Sequence, residues 1–219
     1  MNLNDLTMAL AQYLCVIIVI TLHEFGHAWM SWRCGDDTAK LQGRVSLNPL
    51  AHIDMIGTVA LPLIAIFLSL SGQGQVASFI IGWGKPVPVN YANLRNVDRD
   101  SLLIAMAGPA MNVILTVVVA IVIKLATVGG SIPIVKAGLT LAYISMYLFF
   151  FNLIPVPPLD GSHLLRFITR MRWETFFYLS QFGFIAVIIL IQLPAVRSYL
   201  SYSTSFSVLS LLQALRIEV

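Results

Sequence analysis

The chain has 219 residues, of which 58% are hydrophobic and 11% are charged, and its formal net charge is +3. Because ordinary soluble domains carry about 25% charged residues, this composition excludes a typical soluble globular protein and predicts an integral multi-pass membrane protein. We expect a single domain over residues 1–219, and the small excess of basic residues gives no indication of a nucleic-acid partner.

The first long apolar run predicts a transmembrane helix over about residues 6–33. Gln12 is the only strongly polar side chain in its first 17 residues, roughly 6–22. The start of the chain has no basic segment, and cleavage after this run would remove or strand the polar motif at its end, so we expect no removable signal peptide. Cys15 and Cys34 are expected to be free thiols, since a disulfide would have to join two distant positions of one helical segment.

The end of this helix carries the sequence HEFGH at residues 23–27. On a helix His23 and His27 lie one turn apart on the same face, where two imidazoles can bind one metal ion while Glu24 lies beside the water that it carries. The alternative is a chance match with structural histidines. Ionisable groups at membrane depth are costly and usually functional, so we predict a zinc site. Because catalytic zinc needs three protein ligands, a further ligand must come from elsewhere.

The next part of the chain predicts a polar loop, an apolar excursion and a stiff extended segment. The loop covers about residues 36–55, and the apolar stretch at about 56–70 either crosses the membrane or re-enters it. The sequence Lys85-Pro-Val-Pro-Val89 excludes regular helix. In an extended strand its two prolines leave the N–H groups of Val87 and Val89 on one edge, where an unwound substrate could pair by strand addition. A plain proline-stiffened loop is the alternative.

The second half of the chain predicts further helices, followed in each case by polar or proline-rich breaks. Their approximate ranges are 101–126, 134–153, an amphipathic helix from Asp160-Gly161 to 172, 176–193, and a short last segment at 205–217 that crosses or lies flat on the membrane. The fold class is therefore all-α: a polytopic transmembrane bundle of about 5–6 membrane segments, with a re-entrant or short β-like loop near the active site.

Asp160 is the leading candidate for the third metal ligand. Prolines at 155, 157 and 158 end the preceding helix and can turn an unwound segment inward, and Gly161 removes bulk beside the carboxylate. From position alone, ordinary N-capping by Asp160 remains an equal alternative. Weaker candidates, expected to be solvated surface side chains, are His163, His52, Asp54, Asp36 and Asp37.

The distribution of basic residues predicts that the face carrying the motif is cytoplasmic. If the first helix runs toward that face, Lys124 and Lys136 flank the opposite one. This topology requires residues 56–100 to leave the motif face and return to it. The basic residues that flank the motif face are Arg33, Lys40, Arg44, Lys85, Arg95, Arg99, Arg166, Arg170 and Arg172.

Three motifs follow one another along the chain: HEFGH at 23–27, AGPAMN at 107–112 and NLIPVPPLDG at 152–161. Over about residues 10–170 the chain resembles the site-2 proteases, which are zinc intramembrane metalloproteases, in a form without PDZ or CBS domains. The resemblance implies a catalytic core over about 6–172 followed by C-terminal helices over about 173–219. It also implies one Zn²⁺ per chain bound by His23, His27 and Asp160, with Glu24 as the general base.

The resemblance further implies that Asn112 binds the substrate or the developing oxyanion, an interhelical hydrogen bond being the alternative. The implied activity is hydrolysis of peptide bonds in or near transmembrane segments of membrane-protein substrates, within the lipid bilayer. The oligomeric state stays open. A catalytically silent homologue is a second hypothesis, against which the intact Glu24 argues. A metal transporter is a third, but the paired repeats common in that class are not visible in the sequence.

Overall fold

A computed structural model describes residues 3–73 and 82–217 and shows an all-α fold, with no strand among the residues in these two ranges. The helices are α1 (Leu3–Cys34), α2 (Thr38–Leu41), α3 (Leu61–Leu70), α4 (Val97–Val128), α5 (Ile132–Asn152), α6 (Gly161–Thr169), α7 (Trp173–Gln192) and α8 (Pro194–Ala214). A π-helical turn, Met55–Ala60, leads into α3. The predicted β-like loop is present only as an extended segment over residues 82–90.

The centre of the fold is a bundle of α1, α4 and α5. Helix α4 runs antiparallel to α1. His27 on α1 contacts Ile104 on α4, whereas His23, one turn earlier on α1, contacts Asn112, two turns further along α4. Helix α5 returns alongside α4, where Ser145 Oγ donates to the Asn112 carbonyl. The core between these helices and α8 contains Val19, Leu115, Val119, Ala120, Ile123, Ala142, Met146, Val208, Leu212 and Ile217.

Four of the helices are long and apolar enough to cross a membrane, since about 20 residues suffice to span the hydrocarbon. They are Asp5–Cys34, Val97–Val128, Ile132–Asn152 and Trp173–Gln192. The apolar segment Met55–Leu70 is shorter than such a span. The prediction of a polytopic helical membrane protein is therefore confirmed.

The connection between α1 and α4 returns to the end of α1. The backbone N–H of Arg95 donates to the carbonyl of Cys34 at the end of α1 (3.4 Å). Helix α4 therefore begins beside the end of α1, as the predicted excursion requires. Residues 74–81, which belong to this excursion, lie outside the described residues.

Two predicted boundaries are wrong. Helix α4 begins at Val97 rather than at about 101, because Asn96 caps it by accepting a hydrogen bond from Arg99 N (3.1 Å). The last helix begins at Pro194 rather than at about 205, since proline is well suited to the first turn of a helix. This helix does not stand apart from the bundle: residues spaced four apart are buried along it, namely Leu200, Thr204, Val208 and Leu212.

Candidate metal centre

The side chains of His23, His27 and Asp160 converge on one point inside the bundle. The distance between the two histidine Nε2 atoms is 3.0 Å, and Asp160 Oδ2 lies 3.3 Å from that of His23 and 3.5 Å from that of His27. Both histidines are buried, with 5% and 9% of their surface exposed. Within the described ranges these residues form the only cluster of three or more histidine, cysteine or acidic side chains suited to holding a metal ion.

Asp160 reaches this point because glycines allow close backbone contacts around the loop that precedes α6. A Cβ on Gly161 would lie 2.2 Å from the Leu153 carbonyl oxygen, so the start of α6 packs directly against the end of α5. Similarly, a Cβ on Gly183 of α7 would lie 2.0 Å from the Pro157 carbonyl oxygen. Contacts this short leave no space for a side chain. The loop is thereby held inward, with Asp160 facing α1.

Asp160 occupies the N-cap position of α6, but its side chain makes no capping hydrogen bond. Its buried Oδ2 has no hydrogen-bond partner and faces the two histidines instead. Burial alone would raise the pKa of this carboxyl, but the imidazoles of His27 and His23 outweigh burial and lower the pKa. The capping alternative raised from the sequence is therefore not what the structure contains.

The three atoms have the spacing of a tetrahedral zinc site. Ligand atoms at about 2.0–2.1 Å from zinc are about 3.3 Å apart in a tetrahedron, and the observed separations are 3.0, 3.3 and 3.5 Å. The orphaned Oδ2 of Asp160 is a further indication, because buried polar atoms normally have a partner. The donor set and its spacing fit a zinc ion.

Outer contacts hold both imidazoles in place. His27 Nδ1 lies 2.7 Å from the Ile104 carbonyl oxygen, to which it donates when Nε2 is free to bind a metal. His23 Nδ1 lies 3.2 Å from the side-chain amide of Asn112. An amide rotated by 180° presents Oδ1 to that nitrogen and accepts a hydrogen bond from its N–H, again leaving Nε2 free.

Asn112 therefore makes the interhelical hydrogen bond that was the alternative to a substrate contact. Its side chain is fully buried, at 0% exposure, on the side of His23 away from the ligand atoms. Asn112 is absent from the described residues that line the cavity beside the metal ligands. Contact with a substrate oxyanion stays a prediction for this residue.

A cavity of about 730 Å³ opens beside the cluster. Glu24 lines it together with the three candidate ligands, and so do Val87 and Val89 of the extended segment. The backbone of Gly84 passes close to Glu24, since a Cβ on this glycine would lie 3.1 Å from Glu24 Oε1. The cavity thus joins a carboxylate, the candidate metal site and an extended backbone, whereas the Lys85 residue is exposed.

Gly108 on α4 has a part in the site that was not predicted from the sequence. A Cβ at this position would lie 2.4 Å from His27 Nε2 and 2.8 Å from His23 Cε1. Only glycine therefore lets α4 pack against the histidine pair. The signal was the Ala-Gly-Pro sequence at 107–109, in which a glycine within a long helix suggests close packing.

The weaker ligand candidates do not belong to the cluster, and Asp36, His52 and His163 are not the solvated surface residues that we expected. Asp36 and His52 are 0% and 1% exposed; Asp36 accepts hydrogen bonds from Thr38 N and Asn90 N, and His52 Nε2 bonds to the Ser46 carbonyl. Asp54 caps the π-helical turn through Gly57 N (2.7 Å), and Asp37 is exposed. His163 lines the cavity, and burial lowers the pKa of its imidazole to about 4.

Comparisons with known proteins agree with this site. A model of peptidase family M50 matches residues 123–191. The chain is 33% identical over 168 residues to "Putative zinc metalloprotease YwhC" of Bacillus subtilis (strain 168), covering 73% of this chain and 70% of YwhC. It is also 28% identical over 188 residues to "Putative zinc metalloprotease Rip2" of Mycolicibacterium smegmatis and 26% identical over 187 residues to Rip2 of Mycobacterium tuberculosis, covering in each case 84% of this chain and 67% of the relative. No solved structure matches the chain.

The match to YwhC extends over most of both chains, and the family model covers the region that contains Asp160. The same sequence folds into a bundle of apolar helices around two histidines and an aspartate. The chain therefore belongs to peptidase family M50, the site-2 protease family.

Proposed function

We propose that this chain is a zinc-dependent intramembrane endopeptidase that cleaves membrane-protein substrates in or near their transmembrane segments. The observation that carries the proposal is the position of Glu24 in a cavity that also contains the His23, His27 and Asp160 ligand atoms. A carboxylate next to a three-ligand zinc site is the arrangement of metalloproteases. The names of the relatives YwhC and Rip2 agree with this activity.

His23, His27 and Asp160 would bind one zinc ion per chain. When bound, zinc polarises the scissile carbonyl and lowers the pKa of water toward about 7. Glu24 accepts the proton of the attacking water and then delivers it to the leaving amine. Asn112 and the Ile104 carbonyl keep the imidazoles oriented during this exchange.

The extended segment supplies the place for the substrate. A peptide bond in a helix is protected by its backbone hydrogen bonds, so the substrate must unwind before hydrolysis. In the described structure no hydrogen bond involves the N–H groups of Val87 and Val89. An unwound substrate strand pairs with this edge in the proposed complex, beside the exposed Lys85, and lies along the cavity next to Glu24. The motif face is cytoplasmic in this proposal, because most basic residues flank it.

The decisive experiment compares purified parent protein with Glu24→Gln on a single-span substrate in proteoliposomes. We expect about one zinc per chain in both proteins and cleavage by the parent alone. Glu174→Gln is the matched control, since Glu174 is an exposed residue at the start of α7 and should leave cleavage intact. Full activity of Glu24→Gln would contradict the role of Glu24 as general base. A parent that binds zinc but cleaves nothing would instead indicate a silent homologue.

Zinc binding tests the ligand assignment separately. Asp160→Ala should lose zinc, because it removes one of three ligands, whereas His163→Ala should retain it. Both residues line the same cavity and are three positions apart, which makes the second a close control. Equal zinc content in the two variants would contradict the assignment of Asp160.

A further inference from the structure

Arg44, in the loop after α2, is buried and forms no salt bridge with a carboxylate of the described residues, although the charge of Glu24 acts on it at longer range. The residue is 3% exposed, and its guanidinium donates only to backbone carbonyls: those of Ala51, Lys85 and Pro86, the last at 3.3 Å. Its buried Nε has no hydrogen-bond partner. Burying a charge in this way is costly, so the bonds that it makes to the extended segment require an explanation.

The loop of Arg44 also holds the start of the extended segment through main-chain bonds. Lys85 N donates to the His52 carbonyl (2.9 Å), and Trp83 N donates to the Gly57 carbonyl (3.2 Å). The carbonyl of Trp83 also accepts a hydrogen bond from Thr58 Oγ1 (2.7 Å). Trp83, Lys85 and Pro86 therefore have their polar backbone groups hydrogen-bonded to the 44–58 loop.

Asp36 holds the far end of the segment. Its buried carboxylate accepts from Asn90 N (2.9 Å), from Asn93 Nδ2 (3.1 Å) and from Ser31 Oγ (3.0 Å). Burial alone would raise the pKa of Asp36, but hydrogen bonds from Thr38, Asn90 and Asn93 outweigh it and lower the pKa. Because Ser31 lies one turn after His27 on α1, this carboxylate ties the segment to the helix that carries the metal ligands.

Between these two attachments the backbone of Val87 and Val89 is unpaired in the described structure, and both valines line the cavity. Arg44 bonds the carbonyls of both Lys85 and Pro86 at the start of this stretch, and the N–H groups of Val87 and Val89 that follow stay free in the described structure.

We propose that Arg44 is a positioning residue: its guanidinium holds the carbonyls of Lys85 and Pro86, and thereby fixes the free edge of Val87 and Val89 at a set distance from Glu24. This inference rests on the proposed proteolytic function. Without the guanidinium the freed carbonyls rotate toward water, and the substrate strand loses its register beside the base. Misplacement of reacting groups by about 1 Å costs on the order of 100-fold in rate.

The test compares Arg44→Met with Arg99→Met, an exposed arginine on the first turn of α4. For Arg44→Met we expect unchanged zinc content, a KM for the peptide substrate raised at least about 10-fold and kcat/KM lowered about 100-fold. A merely structural role would reduce the fraction of zinc-loaded enzyme and leave the KM of that fraction unchanged. The Arg99→Met control should match the parent in every measurement.

Hydrogen exchange provides a measurement that does not depend on proteolysis. The amides of Trp83 and Lys85 are hydrogen-bonded to the 44–58 loop and should exchange at least about 10-fold faster in Arg44→Met. If Arg44→Met fails to fold, Arg44→Lys replaces it, because lysine keeps the charge but cannot donate to several carbonyls at once. It should show the same changes to a smaller extent. Unchanged exchange together with unchanged KM would overturn the proposal, whereas an inactive parent with faster exchange in the variant would overturn the proposed function alone.

Discussion

Replacement of Gly108 by alanine is the most specific test of how α4 supports the metal centre. The added Cβ would lie 2.4 Å from His27 Nε2, 2.5 Å from His27 Cε1 and 2.8 Å from His23 Cε1. Non-bonded heavy atoms prefer separations of about 3.5 Å or more, so the His27 ring must move by about 1 Å. The ring cannot move freely, because its Nδ1 is bonded to the Ile104 carbonyl oxygen at 2.7 Å.

Separation of the two helices offers little relief. Gly26 of α1 packs just as closely on α4, since a Cβ there would lie 2.6 Å from the Ala107 carbonyl oxygen. Moving α4 away from α1 would therefore open this contact as well. Metal sites tolerate ligand displacements of about 0.2 Å, and a displacement of about 1 Å costs about 100-fold in rate. We expect Gly108→Ala to lower zinc affinity at least 10-fold, by analogy with the loss of outer contacts, and to lower cleavage about 100-fold.

The assay is zinc competition against a chromophoric chelator in detergent, followed by cleavage of the reconstituted substrate. Gly129→Ala at the end of the same helix is the control, because its Cβ would meet only the Leu125 carbonyl oxygen at 3.4 Å and that of Ala126 at 3.8 Å. Parental zinc affinity and activity in Gly108→Ala would refute this prediction, because the histidine rings could then not lie as close to Gly108 as the structure shows.

Two further predictions concern buried polar side chains. Asn112→Ala should raise the dissociation constant for zinc about 10–100-fold, as expected for loss of a contact that orients His23; lower kcat with unchanged zinc affinity would instead favour the oxyanion role. Burial lowers the pKa of His52 below its ordinary value of about 6.5, so the unfolded chain binds a proton more readily than the folded protein. The free energy of unfolding is therefore not reduced by this residue above about pH 6.5, and it falls as the pH drops toward 5, where the unfolded chain takes up the proton. Thermal unfolding of the parent and of His52→Gln from pH 7 to 5 should show a smaller loss in the variant, and equal losses would contradict this.

The sequence was sufficient to predict the residues whose placement depends on local structure. His23, Glu24 and His27 needed only the period of a helix, and an apolar run predicted that helix. The inward position of Asp160 could be argued from prolines that end α5, although the choice between ligand and cap rested on the resemblance to the site-2 proteases. Local pattern therefore predicted the candidate ligands and the helical class of the fold.

Residues whose partners are distant in the chain were harder to predict. Asp36 and His52 look like loop residues in sequence, yet Asp36 is buried because Asn90 and Asn93 return to it. Gly108 gains its importance from a packing partner on another helix, which helical periodicity on α4 does not reveal. The early start of α8 follows from packing against the bundle rather than from hydropathy.

The candidate ligands come from two elements that are far apart along the chain, α1 and the loop before α6. A ribosome that has synthesised only the helices up to α5 has therefore produced two of the three ligands, and Asp160 has not yet emerged. The histidine pair then lacks the carboxylate that completes the site. The three-ligand site can therefore be completed only after residues beyond α5 have been synthesised, and any fragment that ends at α5 lacks one candidate ligand.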